Sequence, residues 1–255
     1  MSLEIKTLSC LDDNFSYVIF DTKSKKVAVV DPSDFKTIDS FLESKYKKLD
    51  FILNTHHHLD HIGGNLELKS KYKSKILEFH DDCYRIEKVD IKLKENEIYK
   101  IGNSSFEIFF LPGHTKNHIA FYFKHDGVIF TGDTLFSFGC GRIFEGTYQQ
   151  MFSSLEKIKK LPPKTKIYCG HEYTLQNSKF CIQYDKENQN LIRKIKEINE
   201  KLNNNEPTVP STLEDELKNN ILLRRDQKNI KTSMNINNSS ALITFSKLRD
   251  LKDNF

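Results

Sequence analysis

The stretch Thr55-His-His-His-Leu-Asp-His61 constrains this 255-residue chain more than any other. It puts four imidazoles and a carboxylate into seven residues. Burying such a set without partners is costly, so no hydrophobic core asks for it. A metal makes sense of it: imidazole is the commonest protein ligand near neutral pH, and with carboxylate it suits zinc, iron or manganese. The run Asp50-Phe-Ile-Leu-Asn54 before the cluster reads as a buried strand. Gly63-Gly64 and then Asn65–Tyr72, after it, read as a turn and a helix. The cluster therefore falls on a strand-to-helix loop, where a rigid scaffold presents its chemistry. These flanks are not the low-complexity surroundings of a surface histidine tract. In an extended turn, residues two apart point the same way. That predicts His56, His58 and Asp60 on one side, His57 pointing away, and His61 facing a neighbouring second metal.

The same unit recurs three times. Phe106–Leu111 leads into Pro112-Gly113-His114, Val128–Phe130 into Thr131-Gly132-Asp133, and Lys166–Cys169 into Gly170-His171. Each is a β-rich apolar run, then a glycine, then a potential ligand. A lone histidine after a strand is more often a core or surface residue; beside the His56–His61 array it reads as a ligand. Four strands ending at one sheet edge would bring the loops together. The candidate ligands are then His56, His58, Asp60, His61, His114, Asp133 and His171. One ion takes about four ligands, and a catalytic zinc about three with a position left open, so seven fit two ions. We assign His56, His58 and His114 to one metal and Asp60, His61 and His171 to the other, with Asp133 bridging. A shared open position remains for water, which two-metal hydrolytic sites deprotonate near neutral pH.

The motifs THHHLDH, LPGHT, FTGDTLF and YCGHEYT, in that order, resemble those of the metallo-β-lactamase superfamily. Within it the chain is similar to the glyoxalase II family, the hydroxyacylglutathione hydrolases. Further blocks carry this narrower likeness: Asp13-Asn14, Val30-Asp31-Pro32, Gly139–Gly146, Glu206–Thr212 and Arg249–Asp253. The resemblance implies an α/β fold: a metallo-β-lactamase-type αββα sandwich over residues 1–173, then a smaller α-helical substrate-binding domain over 174–255. The patterning agrees. Up to about residue 172, short β-rich runs alternate with helical stretches such as Phe35–Tyr46 and Tyr148–Lys160. After Thr174 the β signal fades. Asp185–Asn203 reads as a polar helix, Pro207 and Pro210 interrupt the chain, and Thr212–Asn220 and Ala241–Lys252 are again helix-like.

By motif matching, the resemblance implies glutathione-binding positions at Arg142, Phe144, Tyr173, Arg249 and Lys252. Glutathione carries two carboxylates and an ammonium. The guanidinium fork of Arg142 suits a carboxylate, and Arg249 and Lys252, three apart on a helix, share a face. The chain departs from the family pattern twice, with Phe144 where many members carry Tyr and Arg142 where some carry Lys. The implied reaction is hydrolysis of S-D-lactoylglutathione, or a related 2-hydroxyacylglutathione, to D-lactate and glutathione. This is the second step of methylglyoxal detoxification. Two divalent ions, zinc before iron or manganese, would serve as cofactors, with Asp60 and Asp133 as the catalytic carboxylates. The sequence holds no Gly-x-Ser-x-Gly elbow and no Cys–His nucleophile pair. His57 and His118 read as neighbours that orient the ligands or fill the core.

Composition bounds the alternatives. No segment reaches a membrane-spanning length. The net charge is +4, and the densest basic stretches, Lys23–Lys26 and Lys69–Lys75, read as solvated faces rather than a nucleic-acid patch. No obligate protein partner is evident. The start, Met1-Ser-Leu-Glu-Ile, shows no targeting leader and leads into a strand. Five widely spaced cysteines without a CxxC read as reduced thiols of a cytoplasmic protein. Two other readings compete. An iron-dependent glutathione persulfide dioxygenase would use one iron and a short C-terminal extension, whereas this extension is long. A non-catalytic metal-bound scaffold would be expected to have lost ligands, and all seven are here.

Overall fold

The structure, a computed structural model, describes residues 3–255; Met1 and Ser2, the start of the expected leaderless strand, lie outside them. The chain divides into two compact units, one holding the chain up to 110 with 117–132, the other 111–116 with 133–255.

The first unit opens with a hairpin. Strands β1 (Leu3–Cys10) and β2 (Asn14–Asp21) pair antiparallel, with Cys10 opposite Asn14. β3 (Val27–Val30) adds antiparallel to β2, and β4 (Phe51–Leu53), β5 (Lys75–Phe79) and β6 (Ile91–Leu93) continue the sheet in parallel. Parallel neighbours need crossovers. Helix α1 (Phe35–Lys45) crosses from β3 to β4, and the one-turn α2 (Leu59–Ile62) with α3 (Asn65–Tyr72) crosses from β4 to β5. A sheet covered on both faces explains why β3 is an uninterrupted apolar run. On one face Val27, Val29, Ile52 and Ile76 pack against Ile38 and Leu42 of α1 and Leu68 of α3.

The other face meets a second ladder, β7 (Ile98–Ile101), β8 (Ser104–Phe110), β9 (Ile119–Phe123) and β10 (Val128–Gly132), joined antiparallel in sequence order. Tyr17 of β2 and Phe130 of β10 touch across this layer, ring centroids 5.3 Å apart, and Phe123 packs edge-on to Phe130 at 5.9 Å. Burying one such ring contributes about 1.5–3 kcal/mol. Two sheets with helices outside the first are thus present within this unit. The ligand-bearing runs do not, however, end at the edge of one sheet as expected. β4 belongs to the first sheet, while β8 and β10 belong to the second ladder. An apolar run declares burial, not the sheet it joins.

The second unit is mostly helical. The short strands β11 (Leu135–Phe136) and β12 (Gly139–Cys140) pair, as do β13 (Lys166–Cys169) and β14 (Ser211–Thr212). Its helices are α4 (Tyr148–Ile158), α5 (Thr174–Tyr184), α6 (Gln189–Asn203), α7 (Leu213–Asn219), α8 (Lys228–Ser233) and α9 (Ala241–Asp253). Thr147 starts α4 with a capping box to Gln150. The helix expected from Asp185 begins only at Gln189. Asn188 caps it, accepting from the Asn190 and Leu191 amides, while the Asp185 carboxylate holds Arg224, Asn188 and Asn229 instead. Among the described residues no helix is long and apolar enough to cross a membrane.

Candidate metal centre and substrate cleft

In the first unit, the chain leaves β4 at Leu53, bends at Thr55 and His56, and turns helical at Leu59. His58 is still extended, at φ −61° and ψ 141°, and caps α2. The two-residue alternation expected through Asp60 therefore stops at His58. Asp60 sits instead beside His61 on the helical turn, its Oδ2 3.5 Å from His61 Nε2. The chain presses too closely on its neighbour for anything larger than glycine: a Cβ on Gly63 would lie 2.4 Å from the Ser33 carbonyl.

Asp31 organises this half. Its Oδ1 accepts from the Thr55 amide at 2.7 Å; its Oδ2 accepts from the Thr55 hydroxyl at 2.7 Å and from His61 Nδ1 at 3.1 Å. With its proton given to Asp31, the Thr55 hydroxyl is left to accept from His56 Nδ1, 3.0 Å away. Both imidazoles thus carry their proton on Nδ1 and a lone pair on Nε2. His56 Nε2 lies 3.1 Å from His58 Nδ1. Asn14 donates to Asp60 at both its carbonyl, 3.1 Å, and its Oδ2, 2.9 Å.

His57 points away, as expected. Its Nδ1 is 2.9 Å from Asp82, and Arg85 stands 3.0 Å from its Nε2. Burial alone would raise the Asp82 carboxyl; hydrogen bonds from His57 and Asn117 outweigh it and hold the carboxyl below its ordinary range. His118 is fully buried and stacks on His56 at 4.9 Å.

In the second unit, Asp133 Oδ2 stands 3.4 Å from His114 Nε2 and 3.3 Å from His171 Nε2. His114 Nδ1 donates to the Arg142 carbonyl at 2.8 Å, so here too the Nε2 lone pair faces the carboxylate. The His171 ring lies parallel to Tyr173 at 4.8 Å. Each unit thus brings its own candidates together: His56 with His58 and Asp60 with His61 in one, His114, Asp133 and His171 in the other. The separations, 3.1, 3.3, 3.4 and 3.5 Å, bracket the edge of about 3.3 Å of a ligand tetrahedron with bonds of about 2.0–2.1 Å. The donor set fits a divalent ion in spacing, and His56, His61 and His114 fit it in protonation too.

A cleft of about 300 Å³ in the second unit is lined by Phe136, Arg142, Tyr173, Arg249, Lys252 and Asp253, among others. Four of the five expected substrate positions are here. Phe144 is not; it lies largely exposed, its ring 5.1 Å from His114. Arg249 is less free than a clamp residue was expected to be. It is 3% exposed, donates from Nη1 to the Cys140 carbonyl at 2.6 Å, and from Nη2 to Asp253 at 2.9 Å. Asp253 also meets the exposed Arg142, at 3.3 Å from its Nε. Desolvation, with Arg249 nearby, lowers the Lys252 pKa.

Residues 11–171 match the metallo-beta-lactamase superfamily and residues 172–255 the hydroxyacylglutathione hydrolase C-terminus. A hydroxyacylglutathione hydrolase of Pelagibacter ubique is 53% identical over 99% of this chain and all of its own length. The chain belongs to the hydroxyacylglutathione hydrolase family. A second member, from Rhodopseudomonas palustris strain BisB5, is 39% identical over the whole of both chains. The fold is that of the metallo-β-lactamases: the solved B3 metallo-β-lactamase BLEG-1 superposes with a TM-score of 0.68 at 20% identity, covering 86% of this chain and 99% of that one.

For a hydroxyacylglutathione hydrolase, two groups outside the expected set matter. Asp31 holds the candidate ligand imidazoles and Asp253 the cleft cations, and both sit in blocks that carried the family likeness without a role attached. The five cysteines are free thiols. Burial pushes Cys169 and Cys181 up to about 12 and raises Cys140 despite Arg249 beside it, so none of these three is prepared to act as a nucleophile.

Proposed function

We propose that the chain hydrolyses S-D-lactoylglutathione and related 2-hydroxyacylglutathiones to the hydroxy acid and glutathione, the second step of methylglyoxal detoxification in the cytoplasm. The observation that carries this reading is the full-length likeness to hydroxyacylglutathione hydrolases at 53% identity. In this proposal the two ligand sets close on one binuclear centre: His56, His58 and His114 on one side, Asp60, His61 and His171 on the other, Asp133 between. Residues 1–173 carry the chemistry, and 174–255 with the adjoining loop carry the substrate.

When bound, two divalent ions, zinc first, supply a water ionised near neutral pH and polarise the thioester carbonyl. The chain does the rest. Asp31, directly for His61 and through Thr55 for His56, and the Arg142 carbonyl, for His114, keep these rings protonated on Nδ1, so that Nε2 stays available. Asn14 aims the Asp60 carboxylate. Arg142 and Lys252 take the carboxylates of glutathione, with Arg249 holding the wall behind them. Tyr173, stacked on His171, borders the same cleft. The leaving thiol has an ordinary pKa of about 8.5, so it departs as thiolate without a general acid from the chain.

The test is a steady-state assay with S-D-lactoylglutathione, with metal content measured on the same sample. Turnover with about two metal equivalents, abolished by Asp133→Ala, supports the reading. No turnover, one iron per chain and oxygen uptake with glutathione persulfide would replace it with the dioxygenase.

A further inference from the structure

The turn between β11 and β12 is held in an unusual way. Phe138 is buried with φ +60°, a left-handed conformation that a bulky side chain adopts only under constraint. Side chains from α5, and from α7 with its C-cap Asn220, grip the backbone groups around it. Glu216 accepts from the Phe138 amide at 2.8 Å. Asn220 donates to the Gly139 carbonyl at 3.1 Å and to the same Glu216 oxygen at 3.0 Å. Asn177 donates to the Ser137 carbonyl at 3.0 Å, and the Cys181 thiol donates to the Phe138 carbonyl at 3.2 Å.

The chain runs from this turn straight into the site. The Cys140 carbonyl, one residue past Gly139, accepts from Arg249. The Gly141 amide donates to the Thr134 carbonyl at 3.3 Å, and the Arg142 carbonyl accepts from His114 Nδ1. There is no slack along this path. A Cβ on Gly139 would lie 2.5 Å from Asn177 Nδ2, and one on Gly141 only 1.9 Å from the Asp133 carbonyl oxygen.

We infer that Glu216, with Asn220, is a positioning residue: through the turn at Ser137–Gly139 it sets the Cys140 and Arg142 carbonyls, and so both the Arg249 wall of the substrate cleft and the tautomer of the ligand His114. Packing alone would be served better by an apolar side chain, because burying a carboxyl costs free energy that only its hydrogen bonds offset. Burial pushes this carboxyl up to about 7 even against the Ser211, Phe138 and Asn220 donors around it.

The inference rests on the functional reading above, and its test separates the two. Wild type, Glu216→Gln, Glu216→Leu and Asn220→Ala would be purified full-length and compared for metal affinity by chelator competition, for glutathione binding by calorimetry, and for kcat and KM. Gln keeps an acceptor for the Phe138 amide and should stay within about twofold of wild type. Leu should raise KM and weaken metal binding by about tenfold each, since misplacements near 1 Å cost that or more. Asn220→Ala removes one arm of the grip and should raise KM severalfold; it decides the matter if Glu216→Leu does not fold. Unchanged KM and metal affinity in Leu or Ala, or a Gln variant as impaired as Leu, overturns the inference. A wild type that neither binds nor hydrolyses the glutathione compounds overturns the functional reading alone, and the ratio of metal affinities between variants and wild type still decides this one.

Discussion

Asp31 shows how one residue can control a site without being a ligand. It takes three hydrogen bonds, one from His61 and two from Thr55, and through the Thr55 hydroxyl it reaches His56 as well. Asn would keep the shape but offer an amide where an acceptor is required, forcing His61 or Thr55 to give up its bond. Asp31→Asn is therefore expected to weaken metal binding by about 10- to 100-fold, the usual effect of losing a ligand's orienting partner; metal competition titration reads it, and wild-type affinity would refute the role. Phe144 stands beside His114 without a hydroxyl. Phe144→Tyr should lower KM by about 2- to 10-fold if it gains one hydrogen bond of the ordinary 0.5–1.5 kcal/mol, and an unchanged KM would mean that the substrate does not pass there. Glu216 has a pH signature. Its folded-state value of about 7 lies above the ordinary 4.5. Its contribution to stability is therefore fully present below the ordinary value and is lost as pH rises through about 7. Glu216→Gln should remove that slope and gain on wild type by up to about 3 kcal/mol at pH 9, measured by denaturant unfolding at pH 4 and pH 9.

Among the elements, the one-turn α2 and the last helix α9 matter most. α2 is only four residues long, yet it swings Asp60 out of the extended alternation and seats it against His61. Nothing in Leu59–Ile62 resembles a helix at the length a periodicity can register, so the change of geometry was not legible. Helices α4, α7 and α9 were, with Thr147, Thr212 and Ser240 marking their starts, whereas α5 was not expected at all. α9 presents its buried face through Phe245, Leu248 and Arg249. Arg249→Ala would free the Cys140 carbonyl and leave Asp253 with Arg142, and is expected to raise KM about tenfold or more with a smaller loss in kcat; a fall in kcat alone would place Arg249 in the chemistry instead.

For the molecule as a whole, metal binding is expected to be linked to folding. An ion that binds only the folded chain stabilises it by about 4 kcal/mol at a thousandfold excess over Kd. In the second unit the candidate ligands His114, Asp133 and His171 are buried and drawn from widely separated stretches of chain, which an unfolded chain does not hold together. Chelation is expected to lower the unfolding temperature by several degrees and zinc to restore it; a melting temperature indifferent to chelator would mean that the ligands are not loaded in solution. The positive net charge of +4 acts at this scale too, favouring approach of an anionic thioester.

The candidate ligands were legible in the sequence, because a dense array of imidazoles and carboxylate after an apolar strand has few uses other than a metal. So was the turn of His57 away from the site, since neighbouring side chains of an extended segment face opposite ways. Tertiary structure alone decided what keeps those ligands in the right state. The bonds from Asp31 to His61, from Arg142 to His114 and from Glu216 to Phe138 join residues 30, 28 and 78 positions apart. Hydrogen bonds act at about 3 Å whatever the separation along the chain, and patterns of propensity and periodicity report only on neighbours in sequence.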